Sequence, residues 1–274
     1  MAEKYLAIDI GMTNIDLVME NGDQVSTRLM KNQHGNAVGQ VRQALSLLQE
    51  DLPKGVVIGV TGGRYRDLPE ILDGHNLQKI DEMQALGLGG LTLTGLEKGL
   101  VVSAGTGTAM VAARENEIRH VTGSAVGGGT LLGLSKLILG TDDYNDINDL
   151  ALAGDAAEVD IMLTEAVGGE VGRLPGDANA VNLGKLVQDK DFSHEDLAAG
   201  LVRLVAQVMA VIAFNAADAE KLDKIIIVGH LMDMESIRKE IDLVGKFYNR
   251  SFIIPENPGF GTVMGVLHFI KERK

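Results

Sequence analysis

Two glycine turns with matching flanks carry the chemistry this chain can do. The first lies in Leu6-Ala7-Ile8-Asp9-Ile10-Gly11-Met12-Thr13-Asn14-Ile15-Asp16-Leu17-Val18. The second lies in Leu100-Val101-Val102-Ser103-Ala104-Gly105-Thr106-Gly107-Thr108-Ala109-Met110-Val111-Ala112. Each is an apolar run, a small-residue turn with threonine, and a second apolar run, which is the pattern of a β-hairpin with a slender tip. Such a tip exposes backbone N–H groups and hydroxyls, the donors a phosphate oxygen needs. Two of them can hold a polyphosphate from both sides, so the chain reads as nucleotide-dependent. Asp9 ends the first strand, where a carboxylate can reach a magnesium ion on phosphates. A turn-forming Asp before glycine is the plainer explanation, and the repeated tip argues for the metal role.

Other segments are weaker signals. Gly127-Gly128-Gly129-Thr130 opens an apolar helix, and backbone donors at a helix N-terminus make an anion site. It is neither a Walker A loop nor a dinucleotide fingerprint, because the required lysine and glycine positions are missing. Gly229 ends the buried run Ile225–Val228, where a bare backbone suits a flat adenine or an ordinary strand-to-helix turn. Glu82, at a helix start among apolar neighbours, is either a general base of raised pKa or part of a capping pair with Asp81. The six histidines are scattered and form no HExxH pair. The cluster Asp142, Asp143, Asp146, Asp149 lacks the glycine and glutamate of a calcium loop and reads as a solvated helix start.

The elements that must position these residues alternate. Strands are expected over 5–10, 15–20, 24–28 and 56–60, with helices over Gly35–Leu52 and Asp81–Leu91. The pattern restarts with strands at 100–103, 109–113 and 118–122 and the helix after Gly127. Short helices follow over 142–153 and 159–166, then a long helix over Asp196–Leu222 and a strand over 224–228. A helix over 234–244, a last strand over 251–254 and a helix over 261–271 complete the chain. This is an α/β chain built by internal duplication, with a cleft between domains 1–94 and 95–274.

Composition narrows the class. The chain has 274 residues, 45% of them hydrophobic, and a net charge of −13, which repels a nucleic-acid backbone. The absence of cysteine excludes disulfides, iron–sulfur clusters and thiolate nucleophiles and fits a reducing cytoplasm. Met1-Ala2-Glu3-Lys4 lacks the basic region of a signal peptide. The apolar stretch 201–217 contains Arg203, Gln207 and Asn215 and reads as a buried helix rather than a membrane span.

These residues resemble type II (eukaryotic-type) pantothenate kinases of the actin–hexokinase–Hsp70 (ASKHA) superfamily, nearly end to end. Asp9–Thr13 is similar to the first phosphate motif, Asp81-Glu82-Met83 to the segment with the catalytic glutamate, and Gly105–Gly107 to the second phosphate motif. Val121–Thr130 with Gly133-Leu134 is the most distinctive stretch. Gly154-Asp155, Val159-Asp160, Gly168-Gly169, Pro175–Lys185, Val228-Gly229 and Glu256–Gly265 also match.

The resemblance implies duplicated ribonuclease H-like (actin-like ATPase) domains and ATP-dependent phosphorylation of pantothenate, the first step of coenzyme A biosynthesis. It implies Glu82 as base and Asp9 as the organiser of Mg2+. It places Gly11, Met12, Thr13, Gly105, Thr106, Gly107, Gly127, Gly128, Gly129 and Gly229 around the nucleotide. Thr106 and Arg119 or His120 fall on the substrate side. A cytoplasmic homodimer is also implied. Three positions depart from the family: Asp16 stands for a lysine, Ala109 for a substrate-binding serine, and His120 for an arginine. Arg119 is adjacent, but a one-residue shift turns a strand side chain to the other face. A kinase for another small hydroxyl compound, or an ATPase switch that reactivates a partner enzyme, are the alternatives.

Overall fold

The apolar run at the start of the chain is buried on both sides, as befits a strand at the middle of a sheet. β1 (Lys4–Ile10), β2 (Asn14–Asn21) and β3 (Gln24–Lys31) form an antiparallel meander. The computed structural model describes residues 4–273 apart from 34, 49–51, 53–54, 116 and 173. The readings of 1–3, of His34 and of the end of the first helix therefore lie outside the described residues. After α1 (Ala37–Leu47), capped by Asn36, β4 (Val57–Gly62) returns parallel to β1. A hairpin of β5 (Ile71–Leu72) and β6 (His75–Lys79) completes a six-stranded sheet ordered β3-β2-β1-β4-β6-β5. This hairpin has no counterpart in the sequence reading, because strands of two and five residues with polar tips give no periodic signal. α2 (Glu82–Thr94) then leads out, ending at Gly95 in the left-handed region.

The same plan repeats. β7 (Lys98–Ala104), β8 (Thr108–Arg114) and β9 (Glu117–Ser124) are antiparallel. After them come α3 (Gly128–Ile138), α4 (Tyr144–Ala153), a two-stranded excursion of β10 (Ile161–Met162) and β11 (Asn179–Val181) around α5 (Leu163–Val167), and α6 (His194–Glu220). β12 (Ile225–Val228) then lies parallel to β7, as β4 does to β1, in a sheet ordered β12-β7-β8-β9. α7 (Glu235–Tyr248) and α8 (Gly261–Glu272) close the chain. Two expectations differ. The helix over 159–166 is a 3₁₀ turn at 156–158, a two-residue strand and the short α5. The strand over 251–254 is reduced to one bridge between Ile226 and Ile253, with Pro255 following close behind.

The two units exchange helices. α2 follows the first unit but packs Leu86 on Val101 and Val111 of the second sheet. α8 follows the second unit but packs Val263, Val266, Leu267 and Ile270 on Tyr5, Ala7 and Val18 of the first. Each of these four buried side chains contributes about 1.5–3 kcal/mol by leaving water. α6 is long and apolar enough to cross a membrane by composition, yet its apolar window is 61% buried. It is the central helix of the second core, against Leu100, Val102 and Met110.

α2 and α8 cross at glycines. A Cβ at Gly89 would overlap the Gly261 carbonyl, and one at Gly265 would overlap the Ala85 carbonyl. The obstacle is backbone and cannot swing aside. Gly265→Ala is therefore expected to lower stability by about 1–3 kcal/mol, although alanine is intrinsically the better helix former by about 1 kcal/mol. The urea midpoint checks this; an unchanged or higher midpoint would contradict the packing.

Candidate active site

The two slender tips meet. The hydroxyls of Thr13 and Thr106, from different sheets, are 2.9 Å apart. Among the described residues the N–H groups of Met12, Thr13, Thr106 and Gly107 go to no carbonyl. Each tip is braced from behind. Asn32 donates its amide to the Gly11 carbonyl at 2.7 Å and accepts from Gln40 at 2.8 Å. The second tip is held by α3: Gly128 N–H donates to the Gly105 carbonyl and Gly129 N–H to the Thr106 carbonyl, both at 2.8 Å. Those two donors are thus engaged by the tip itself. Side chains at 127 and 129 would strike Gly107 and Thr106, and one at 128 would meet the Tyr144 hydroxyl and the Gly105 carbonyl.

A second repeated device lies beside each tip. β4 ends at Gly62, φ 111°, pressed on Ile10, and β12 runs into Gly229, φ 114°, pressed on Ala104. In both, the carbonyl of the neighbouring strand fills the place of a Cβ, so only glycine fits. This accounts for Gly229 without any ligand.

The helix swap brings Glu82 to the cleft. Ile80 N–H bonds to the Val60 carbonyl and the Thr61 hydroxyl donates to the Ile80 carbonyl, which fixes the chain just before α2. Asp81 caps the helix, accepting from Met83 and Gln84 N–H, and its other oxygen accepts from the Tyr65 hydroxyl. The capping is done by Asp81, which leaves the Glu82 carboxyl out of the cap. Burial, with the charge of Asp81, pushes the Glu82 carboxyl up, as suits a proton acceptor.

Asp9, next to the end of β1, is half-buried, and its Oδ1 is fully buried with no hydrogen-bond partner among the described residues. Burial pushes its carboxyl well above the usual carboxylate range, and the charges of Asp16 and Glu82 add to this. An orphaned buried oxygen of this kind fits a hard cation that takes oxygen ligands. Asp16 stands directly opposite Asp9 across β1 and β2, and His230 reaches it from the other unit, Nε2 to Oδ1 at 2.9 Å.

Of Arg119 and His120, the structure brings one to the face that packs on α2. Ile118 packs with Met83 and Leu86 of α2, whereas Arg119 is bonded to Glu220 of α6 at 2.7 Å, on the opposite face. His120, two residues past Ile118, pairs with Val111 on the α2 face, which also carries Ala109, and the bulge lies beyond it at Val121. Asn32, Gln40, Thr61 and Gly62 are site residues the sequence reading did not single out. The available signal was the glycine turn after 56–60, which mirrors the one after 224–228.

Burial opposes a charge on His230, but hydrogen bonds to Asp16 and Asp233, and their charges, prevail and push the imidazole up to about 10. The unfolded chain releases that proton near 6.5. The stability this group contributes is therefore whole below about pH 6.5 and is lost as pH rises through about 10. The urea midpoint of the parent is expected to fall over this range more steeply than that of His230→Gln. Parallel profiles would contradict the charge assignment.

Residues 99–253 match the family model described as Fumble. The chain is 24% identical over 282 residues to the type II pantothenate kinase of Bacillus anthracis, covering 99% of both. It is 31% identical over 176 residues to that of Oceanobacillus iheyensis, covering 62% of this chain and 65% of that one. Among solved structures, the activator of the 2-hydroxyisocaproyl-CoA dehydratase from Clostridium difficile aligns with TM-score 0.65 and 16% identity over 99% of this chain and 98% of that one. The ROK hexokinase from Thermus thermophilus aligns with TM-score 0.58 and 13% identity over 98% and 99%. At these identities the structural likeness bears on the fold, which is the duplicated α/β fold of actin-like ATPases and kinases. The family model, by contrast, spans more than half of the sequence and includes the second tip, the glycine segment at 127–129 and Gly229. The chain belongs to the Fumble family.

Proposed function

We propose that this chain is an ATP-dependent kinase that phosphorylates the primary hydroxyl of pantothenate. The observation that carries the reading is the 2.9 Å approach of Thr13 and Thr106 from two separate sheets, with the unpartnered oxygen of Asp9 close behind the first tip. Membership of a family whose curated relatives are type II pantothenate kinases supports the substrate.

In this reading the tips at Gly11–Thr13 and Gly105–Gly107 part to admit the phosphates between them, donating through backbone N–H groups and hydroxyls. Asp9 would hold Mg2+, which supplies charge neutralisation on the phosphates. Gly127, Gly128 and Gly129 act by holding the second tip, and Gly229 lies on the adenosine side. Glu82 takes the proton of the substrate hydroxyl as that oxygen bonds to the γ-phosphorus. The bond from phosphorus to the β-bridging oxygen breaks, leaving ADP. Such catalysis is mainly positioning and charge stabilisation. Thr106 and His120 face the substrate side; Arg119 is committed to Glu220.

The units 1–94 and 95–274 are proposed as the two lobes of the cleft, with α8 returning to cover the first. The enzyme is proposed to be a cytoplasmic homodimer with no nucleic-acid or membrane partner. Ala109 and His120, on the face that carries Glu82, favour a second reading: a kinase of the same fold for another small hydroxyl compound. The test is ADP release by purified protein with Mg·ATP, with and without pantothenate. Release stimulated by pantothenate, with phosphopantothenate detected by mass, is expected. Stimulation only by other alcohols would select the second reading, and slow turnover altered only by a protein partner would point to an ATPase switch.

A further inference from the structure

We infer that His230 is a positioning residue of this site: it spans the cleft beside the phosphate tips, holds Asp16 and cancels its charge, so that the cleft can take a polyphosphate. The inference rests on the phosphate reading above. His230 follows β12 closely, next to the glycine seated on Ala104, where the second tip begins. Its Nε2 lies 2.9 Å from Asp16 Oδ1 in β2 of the other sheet, and its Nδ1 lies 2.8 Å from Asp233 Oδ2. Asp16 is the cross-strand partner of Asp9. A single side chain thus links the base of one tip to the base of the other.

The chemistry of the ring follows from these contacts. Each nitrogen faces a carboxylate oxygen, which accepts but cannot donate, so both nitrogens carry protons. A ring with two N–H groups has no lone pair to take a substrate proton. His230 is therefore a fixed cation and not a second base. The ring is also clamped: Phe260 stands edge-on at 5.6 Å, and any side chain at Gly259 would overlap the imidazole. Residues 259 and 260 lead into α8, which packs on the first sheet, so the clamp reinforces the link between units.

The charge balance gives the link its consequence. Asp9, Asp16 and Glu82 bring three carboxyls to a cleft proposed to take a highly anionic ligand. With His230 in place, Asp16 adds no net charge. Without it, Asp16 would face the polyphosphate as an unpaired anion.

The test is a cycle of four proteins: the parent, His230→Gln, Asp16→Asn and the double variant. Affinity for Mg·ADP and for a non-hydrolysable Mg·ATP analogue is measured by calorimetry, alongside ADP formation. His230→Gln is expected to weaken nucleotide binding about tenfold or more, the scale of a coupled charge pair. Removing the stranded charge in the double variant should recover most of that loss. A residue that merely supports the fold would show no such recovery, since the double variant would be at least as damaged as the single. If His230→Gln fails to fold, Asp16→Asn against the double variant supplies the other edge of the cycle: loss of His230 should then weaken binding by no more than about threefold, because no stranded anion remains. Equal weakening in His230→Gln and the double variant overturns the inference alone. A parent that binds no Mg-nucleotide overturns the phosphate reading and the inference with it.

Discussion

Glu82→Gln removes phosphoryl transfer, lowering kcat by about a hundredfold to ten-thousandfold, while nucleotide affinity stays near that of the parent. The asymmetry follows from position. Glu82 is the first helical residue after a cap that Asp81 completes alone, so the glutamine should leave α2 intact. Its carboxyl approaches the turn at Gly63, just after β4. Burial raises its pKa, so it holds a transferred proton better than a solvated carboxylate does. The sign for activity follows: the rate should rise with pH as the raised carboxyl ionises, and the inflection should vanish in Glu82→Gln. Loss of nucleotide binding in that variant would show that the residue belongs to the phosphate site instead.

Asp9→Asn is expected to lower transfer at least about a hundredfold, the scale of losing several kcal/mol of charge stabilisation, and at the same time to make the metal-free protein more stable. The second effect is the sharper one. One oxygen of Asp9 is buried and unpartnered, and Asp16 and Glu82 add to the cost of ionising the carboxyl. A carboxyl whose folded pKa lies above its unfolded value of 3.8 destabilises the fold as pH rises past that value, because the unfolded chain releases the proton first. Asparagine removes that penalty at neutral pH. The metal-free variant should therefore unfold at higher urea than the parent, and added Mg2+ should raise the midpoint of the parent but not that of the variant. A lower midpoint for Asp9→Asn in metal-free buffer would mean that the carboxyl serves the fold rather than a ligand.

The tips were legible because their signal is local: small residues between apolar runs, present twice. The parallel returns at β4 and β12 were legible as buried apolar runs ending in glycine. The exchange of α2 and α8 between the sheets was not, because an apolar helix face does not say which sheet it covers. That exchange is what carries Glu82 toward the second unit, and that Asp81 caps α2 without Glu82 needed the three-dimensional arrangement. The opposite facing of Arg119 and His120 was legible too: strand alternation puts His120 with Ile118 on the α2 face and leaves Arg119 with Glu220 on the other. The bulge after His120 was not legible, because it depends on pairing with the neighbouring strand and leaves no mark in one strand's pattern. The bond between Asp16 and His230 joins residues 214 positions apart. From the sequence, Asp16 reads only as a missing cation; the imidazolium that answers it comes from the other unit.

A crystal structure with magnesium, a non-hydrolysable ATP analogue and pantothenate tests the account most directly. The account predicts the β- and γ-phosphates between residues 11–13 and 105–107, with the Thr13–Thr106 contact opened to admit them and the metal beside Asp9. It also predicts the primary hydroxyl of pantothenate within hydrogen-bond reach of Glu82, about 2.6–3.2 Å. A nucleotide seated elsewhere, with the two threonine hydroxyls still in contact, would contradict it.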